Sequence, residues 1–464
     1  MMAIGTSTRG YARWLVLSAI ILLMVLFHLL HASLPPASAA IQNGPIDYVP
    51  TEKAGVPINQ ASVQAIPESQ ETNVTQQMLE EIEAYRQDSI PWTDDGYAGL
   101  EELMKMPRNS LPQTKSAYYW RLKRFVVKYF QGSPWEPKLD EMLHEFEARD
   151  MRREPLPRHV LSTDEKGLEG APEGFGNWSR VAREEDGWVI EVLNHEMVEM
   201  RMREYVHEGE GARQFGKIWD SINFQVLKTD VIRYLALLLD GGVYTDSDTA
   251  PRAHPHSWGK PAVDISKPLI SALDANLAFL RDRHSYMAAW RVKAEQAKAS
   301  GANTILDPDI SVITSLESSN WNDDQWTGAQ GEALRRLSLG QWTVMSKKLH
   351  PIMLDVLGTA MDNIEMAMLS DQLDGTIGAC HLTGPPVFTD AVMRYLLVQH
   401  GVTPFDLAHM SYGEAAKAGD VIVYGPGSFG GWYPTAEEQE QNTEDVKLPV
   451  AHGFRGLWKG QGWG

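Results

Sequence analysis

The chain has 464 residues, with 42 Lys plus Arg against 61 Asp plus Glu, and the resulting net charge of −19 leaves no basic stripe with which to bind a nucleic acid. Its apolar fraction of 43 % is enough for a large buried core, and a single cysteine, Cys380, excludes any internal disulfide, so stability has to come from packing. At about 100–200 residues per domain the length alone would suggest two or three domains, a number that the opening segments reduce.

Trp14 to Leu30 reads WLVLSAIILLMVLFHLL, with His28 as its one ionisable side chain. At about 1.5 Å per residue it comes close to spanning a bilayer core. Arg9 and Arg13 precede it and no Lys or Arg follows until Lys53, so the positive-inside rule keeps residues 1–13 in the cytosol and sends the remainder across. Residues 14–31 are therefore expected to form a signal-anchor of type II topology. The rival is a cleaved signal peptide ending at Ala37-Ser38-Ala39, but the apolar run exceeds a usual signal core. Residues 32–113 read as a lumenal stem, its first part rich in Ala, Pro, Ser and Gln without sustained period, with a helical stretch at 75–87. Asn73-Val74-Thr75 and Asn177-Trp178-Ser179 are acceptor sequons.

Residues 114–155 are expected to form a helical extension. The helix at 114–130 is basic and amphipathic, with Tyr118, Leu122, Phe125 and Val126 near one face; it suits packing on the following domain better than membrane contact. A charge-laced helix follows at 138–152. The main domain, 156–464, opens with a strand at 157–163, a second strand at 188–190 and a helix at 195–205.

Residues 229–249, TDVIRYLALLLDGGVYTDSDT, organise the rest. Thr229 is placed to cap a helix over 230–240 whose Ile232, Leu235, Leu238 and Leu239 repeat at helical spacing. Gly241 and Gly242 stop it, and Val243-Tyr244-Thr245 suit a strand. Asp246 and Asp248, two apart on an extended chain, can face one point at the carboxyl end of that strand, where open α/β sheets place ligands. Converging carboxylates attract a hard divalent cation, which commonly shares its coordination with substrate phosphates. An EF-hand loop fails, since Ser257 stands at the place of its bidentate Glu; a solvated turn is the remaining rival. Asp230 and Arg233 lie three apart, on one helix face leading toward the Asp pair, as a surface ion pair also would. Strands alternating with helices up to Asp248 indicate an α/β fold with a mainly parallel sheet.

The string Asp230-x-x-Arg233-Tyr234 … Gly241-Gly242-Val243-Tyr244-x-Asp246-x-Asp248 resembles the DxD sugar-binding region of glycosyltransferases, specifically the fungal Och1-like α-1,6-mannosyltransferase family. Further segments of the same resemblance follow in order. Pro157 to Thr163 resembles the family's opening strand, with Arg158 for its Lys and Ser162 for its Gln; Trp258 falls where a tryptophan closes the DxD segment. Gly340 to Met345 and His350-Pro351 look like a helix entering the core, to which Trp342 adds packing and no chemistry, and the start of the next helix. Polar excursions are expected at 292–304 and 317–333. Thr383 to Asp390 resembles a "TGP-x-x-FT" loop whose amides either receive a ligand or form a rigid turn. Residues 419–424 read as a strand, and Gly427 to Gly431 as a loop lacking the dinucleotide-binding glycine spacing. His452-Gly453-Phe454-Arg455-Gly456-Leu457-Trp458-Lys459 resembles the family's C-terminal "H-x-F-x-G-S-W-K", with Leu457 at the Ser place.

The resemblance implies the GT-A fold of nucleotide-diphospho-sugar transferases, flanking helices on the sheet, and a Golgi enzyme moving mannose from GDP-mannose to a glycan acceptor with retention. It implies Asp246, Asp248 and His452 around Mn²⁺ or another divalent cation, catalytic roles for Asp246, Asp248 and Arg233, and donor contacts from Asp230, Arg233, Tyr244 and Trp458. It also implies membrane anchoring and a complex with other mannosyltransferases. Mannosyl transfer to inositolphosphoceramide and an inactive lumenal subunit are the competing roles, and Leu457 keeps the latter open.

Overall fold

The computed structural model describes residues 111–148, 155–183, 186–259, 262–266, 289–293, 295–296, 308–319, 335, 337–370, 373, 378–408, 410–411, 413–430 and 449–453. The expected anchor, the stem up to residue 110, the helix at 75–87, the Asn73 sequon, Leu457 and Trp458 lie outside them; residues 111–113, expected to end the stem, instead open the first helix. Among the described residues no helix is long and apolar enough to cross a membrane.

Helix α1 (Leu111–Phe130) and α2 (Glu136–Ala148) precede β1 (His159–Thr163), β2 (Val189–Leu193), α3 (His195–Tyr205), α4 (Glu210–Ser221) and α5 (Gln225–Leu239). Then come β3 (Gly242–Thr245), β4 (Thr249–Pro251), β5 (Val263–Asp264), β6 (Val312–Ser319), β7 (Leu337–Ser346), α6 (Pro351–Leu369), α7 (Pro385–His400), β8 (Ala415–Ala418), β9 (Val421–Tyr424) and β10 (Val450–His452). Eight strands form one sheet in the order β2-β1-β3-β7-β6-β9-β8-β5, and β10 pairs with β4 in a second. Pairs β1–β2, β1–β3, β6–β9 and β5–β8 are parallel, while β7 runs antiparallel to both β3 and β6, as β8 does to β9. The sheet is therefore mixed, and parallel pairing only narrowly predominates.

Several expectations change here. Residues 340–345 are not a helix: they belong to β7, whose ten residues are all buried. A strand buried on both faces loses the alternation that would mark it and reads as a continuous apolar run. Thr229 caps nothing, because α5 begins at Gln225, a full turn earlier. Glu317 and Ser318 are part of β6 rather than a surface excursion. The Gly-Gly stop is present: Gly241 and Gly242 take φ of +66° and +98°, and the Gly241 amide returns to the Ala236 carbonyl at 3.1 Å.

The basic face of α1 meets carboxylates of α2 and of the main domain. Tyr118, Leu122, Phe125 and Val126 are fully buried. Lys123 pairs with Asp140, Arg124 with Asp362, and Lys128 with Asp362 and Glu365. Gly358 of α6 leaves room for the Phe125 ring, which any Cβ there would overlap. Below them Asp355 is wholly buried between Arg121 (Nε–Oδ1 2.9 Å) and Arg394 (Nε–Oδ2 2.8 Å). Burial pushes that carboxyl up, but the two guanidiniums outweigh it and hold it below the usual carboxylate range.

Candidate active site at the Asp246–Asp248 turn

Three-quarters of α5 is buried on every side, which suits an all-apolar helix in a core, yet it carries Asp230 and Arg233 at 3 % exposure each. Buried charges have to be paired. Arg233 donates from Nη1 to Asp230 Oδ1 (2.8 Å) and from Nη2 to Asp246 Oδ1 (3.0 Å), and its guanidinium lies 4.5 Å over the Tyr244 ring. Asp230 also accepts from Thr383 Oγ1 (2.7 Å) and Gln341 Nε2 (3.2 Å). Burial lifts the Asp230 carboxyl to about 6, against the lowering effect of Arg233 and these hydrogen bonds. The pair is thus no surface ion pair, and its polar atoms face inward partners. Arg233 Nε makes no hydrogen bond among the described residues.

Tyr244 alters most from its expected place. It is fully buried beneath Arg233 with its hydroxyl 3.0 Å from Thr163 Oγ1, so it supports the guanidinium and has no face for a nucleoside. Thr383, in the loop expected either to receive a ligand or to form a rigid turn, secures Asp230 through its hydroxyl and Tyr234 through its carbonyl. Asp390 lies within α7 and forms a two-point pair with Arg335.

Asp246 leaves β3 into a tight turn, not an extended segment: its carbonyl accepts from the Thr249 amide (3.1 Å) and hydroxyl (2.7 Å). The turn, rather than strand alternation, converges the two carboxylates. Ser247 donates to Asp164 Oδ2 at 2.9 Å, bringing a further acid from the end of β1 beside the pair. The chain then enters β4, whose antiparallel partner β10 places His452 opposite Thr249. His452 Nε2 reaches to 3.0 Å from Asp248 Oδ1, and the Gly453 amide donates to the Asp248 carbonyl at 2.7 Å. One donor atom each from Asp246, Asp248 and His452 lie within 4.8 Å of one another. Two carboxylates and an imidazole in that span suit a divalent cation of Mn²⁺ type. Burial raises the Asp246 carboxyl, opposed by Arg233 and His452 and reinforced by Asp248.

Three residues beside the site take no site role from the sequence. Gln341 and Trp342 come from β7, where a register shift matches two steps on β6 (Ile313 to Ser315) with five on β7 (Met345 to Gly340). Such bulges re-aim side chains next to sites. Glu317 on β6 accepts from Ser338 Oγ (2.8 Å), and burial pushes its carboxyl up against that bond and the charge of His452.

Residues 175–263, which contain the Asp246–Asp248 turn, match the family model described as the glycosyltransferase sugar-binding region containing a DXD motif. That match gives the chain a region similar to the DXD-containing sugar-binding region of glycosyltransferases. The chain is similar to the initiation-specific alpha-1,6-mannosyltransferase of Schizosaccharomyces pombe, 27 % identical over 240 residues that cover 50 % of this chain and 47 % of the relative. It is similar to the putative glycosyltransferase HOC1 of Saccharomyces cerevisiae, 22 % identical over 285 residues and 59 % of each chain. The Candida albicans initiation-specific alpha-1,6-mannosyltransferase is 25 % identical over 177 residues, covering 37 % of this chain and 35 % of that protein. The matches thus span roughly a third to three-fifths of these curated relatives. The mixed α/β sheet, with a DXD turn at the end of a central strand, fits a GT-A-like fold.

Proposed function

We propose that the chain transfers mannose from GDP-mannose to a mannose-containing glycan, initiating or extending an α-1,6-linked outer chain with retention at the anomeric carbon. The observation that carries this reading is the convergence of Asp246, Asp248 and His452 at the end of β3. The names of the relatives support the choice of sugar and linkage. The same reading places the protein in the Golgi membrane as a single-pass type II protein with a lumenal catalytic domain, working beside other mannosyltransferases.

Asp246, Asp248 and His452 would hold a divalent cation, which when bound neutralises the donor diphosphate and serves as Lewis acid for its departure. Arg233 holds the Asp246 carboxylate through its Oδ1 oxygen. Asp230 and Arg233 form the floor under the donor, their sugar contacts confined to the few per cent of their surface that stays exposed. Asp248 and His452 side chains, at 13 % and 9 % exposure, restrict water around the diphosphate position, which favours transfer over hydrolysis. Trp458 is assigned to the donor side on the resemblance of its motif.

The test is a donor screen with GDP-mannose, UDP-glucose and UDP-galactose, scoring transfer and hydrolysis with Mn²⁺ and with chelator. Transfer from GDP-mannose alone, lost on chelation and restored by Mn²⁺, is the expected result. A UDP-sugar as the working donor would overturn the donor assignment, and full transfer under chelation would remove the cation.

A further inference from the structure

We propose that Trp342 is a positioning residue for the cation site, fixing the Asp246 backbone through its carbonyl and the plane of the His452 imidazole through its indole face. The proposal rests on the reading of Asp246, Asp248 and His452 as cation ligands, and it adds the device that makes His452 a defined ligand.

Trp342 sits in the β7 bulge and is 7 % exposed. Its carbonyl accepts from the Asp246 amide at 2.8 Å, so the first carboxylate leaves β3 from a backbone that Trp342 holds. Its ring lies parallel to the His452 imidazole, 4° between planes and 5.0 Å between centroids, an offset stack. The indole is itself held: Nε1 donates to the Phe429 carbonyl at 2.6 Å. Gly340 supplies the space for it, since a Cβ there would come within 2.8 Å of the indole. From the other direction Gly430, at φ +74°, lets its loop approach the His452 backbone so closely that a Cβ would collide with it.

A ligand histidine needs its ring plane set before the ion arrives, and an outer partner usually does this through the second ring nitrogen. Here a flat aromatic face restricts rotation of the imidazole, while Nε2 points to Asp248. The same residue therefore couples ligands supplied from two distant parts of the chain. Trp342 touches neither donor nor acceptor in this account; it acts through His452 and Asp246.

The experiment measures Mn²⁺ binding to the full chain, without donor or acceptor, from the disappearance of the free-Mn²⁺ electron paramagnetic resonance signal. Trp342→Leu should weaken binding by about tenfold, the size found for outer partners of metal ligands, and Trp342→Phe, which keeps a flat face, should recover most of that loss. In a His452→Ala background Trp342→Leu should change affinity by less than about twofold, because the residue it positions is gone. Equal losses in both backgrounds would overturn the proposal as a general structural effect, and so would wild-type affinity in Trp342→Leu. Wild-type binding that is weakened by His452→Ala but untouched by Trp342→Leu removes this inference alone; a wild-type chain that binds no Mn²⁺ removes the cation reading together with it. Should Trp342→Leu fail to fold, the wild-type His452 ring protons decide: stacked on an indole they resonate upfield, and unshifted resonances refute the stack.

Discussion

Arg233→Lys separates geometry from charge at the DXD turn. The wild-type guanidinium makes three hydrogen bonds, two of them to carboxylates, and covers the Tyr244 ring. A lysine ammonium keeps the positive charge but not the planar fork, so it can satisfy Asp230 or Asp246 and not both at the observed geometry. The loss is one buried charge-assisted hydrogen bond, about 1.5–3 kcal/mol, and the stacked cation, about 1–2 kcal/mol. Together these predict a fall in stability of about 2.5–5 kcal/mol, read as a lower urea midpoint at unchanged slope. Repulsion between the side chain and a bound cation is nearly unchanged, because the charge remains. Any drop in Mn²⁺ affinity must then come from a displaced Asp246, and about 10–100-fold is expected for an outer partner of a ligand. Calorimetry with Mn²⁺, with and without GDP, supplies that number. A variant with wild-type urea midpoint and wild-type Mn²⁺ affinity would refute the clamp, and normal transfer by such a variant would refute the catalytic role as well.

Asp246→Asn and Asp248→Asn should each abolish transfer and Mn²⁺ binding while leaving the fold intact, since both side chains lie at the partly exposed edge of the core; circular dichroism and Mn²⁺ titration check the two halves of that statement. Asp355→Ala leaves Arg121 and Arg394 buried without their shared carboxylate and should cost about 3–5 kcal/mol in denaturant unfolding, with α1 detaching first in hydrogen exchange. Asp420 is pushed up by burial but held well below the usual carboxylate range by His350 and His400, with Tyr395 donating at 2.9 Å. A depressed folded value stabilises at pH above the unfolded value of about 3.9 and is lost as pH falls toward the folded one, so Asp420→Asn should flatten the acid limb of the stability curve below about pH 4 while lowering stability at neutral pH.

Elements with local chemical signals were legible in the sequence. The helix at 195–205 starts where Asn194 Oδ1 accepts the Met197 amide at 2.9 Å, and the helix before the DXD turn ends at two glycines in left-handed backbone. The Asp pair and His452 were legible because their residue types and order resemble a known motif. Strand β7 was not, because ten consecutive buried residues present the same pattern in a strand as in a core helix. That error concealed Gln341 and Trp342, whose placement depends on a register shift between strands and has no counterpart in local sequence. The inward commitment of Asp230, Arg233 and Tyr244 was equally hidden: helical spacing gives the shared face of Asp230 and Arg233 but not whether that face meets solvent or Thr383 and Gln341.

The pairing of β4 with β10 gives the site a history as well as a shape. The histidine is synthesised about 200 residues after the two carboxylates, so at roughly 5–20 residues per second the nascent chain carries an unfinished ligand set for about 10–40 s. On the proposed reading of Asp246, Asp248 and His452 as cation ligands, affinity for the ion is thus a late event of maturation, acquired when a three-residue strand docks. An aberrant form whose core has assembled but whose β10 has not would pass spectroscopic checks for folding and still be ion-poor, so quality of this protein is better judged by ion occupancy than by its melting curve.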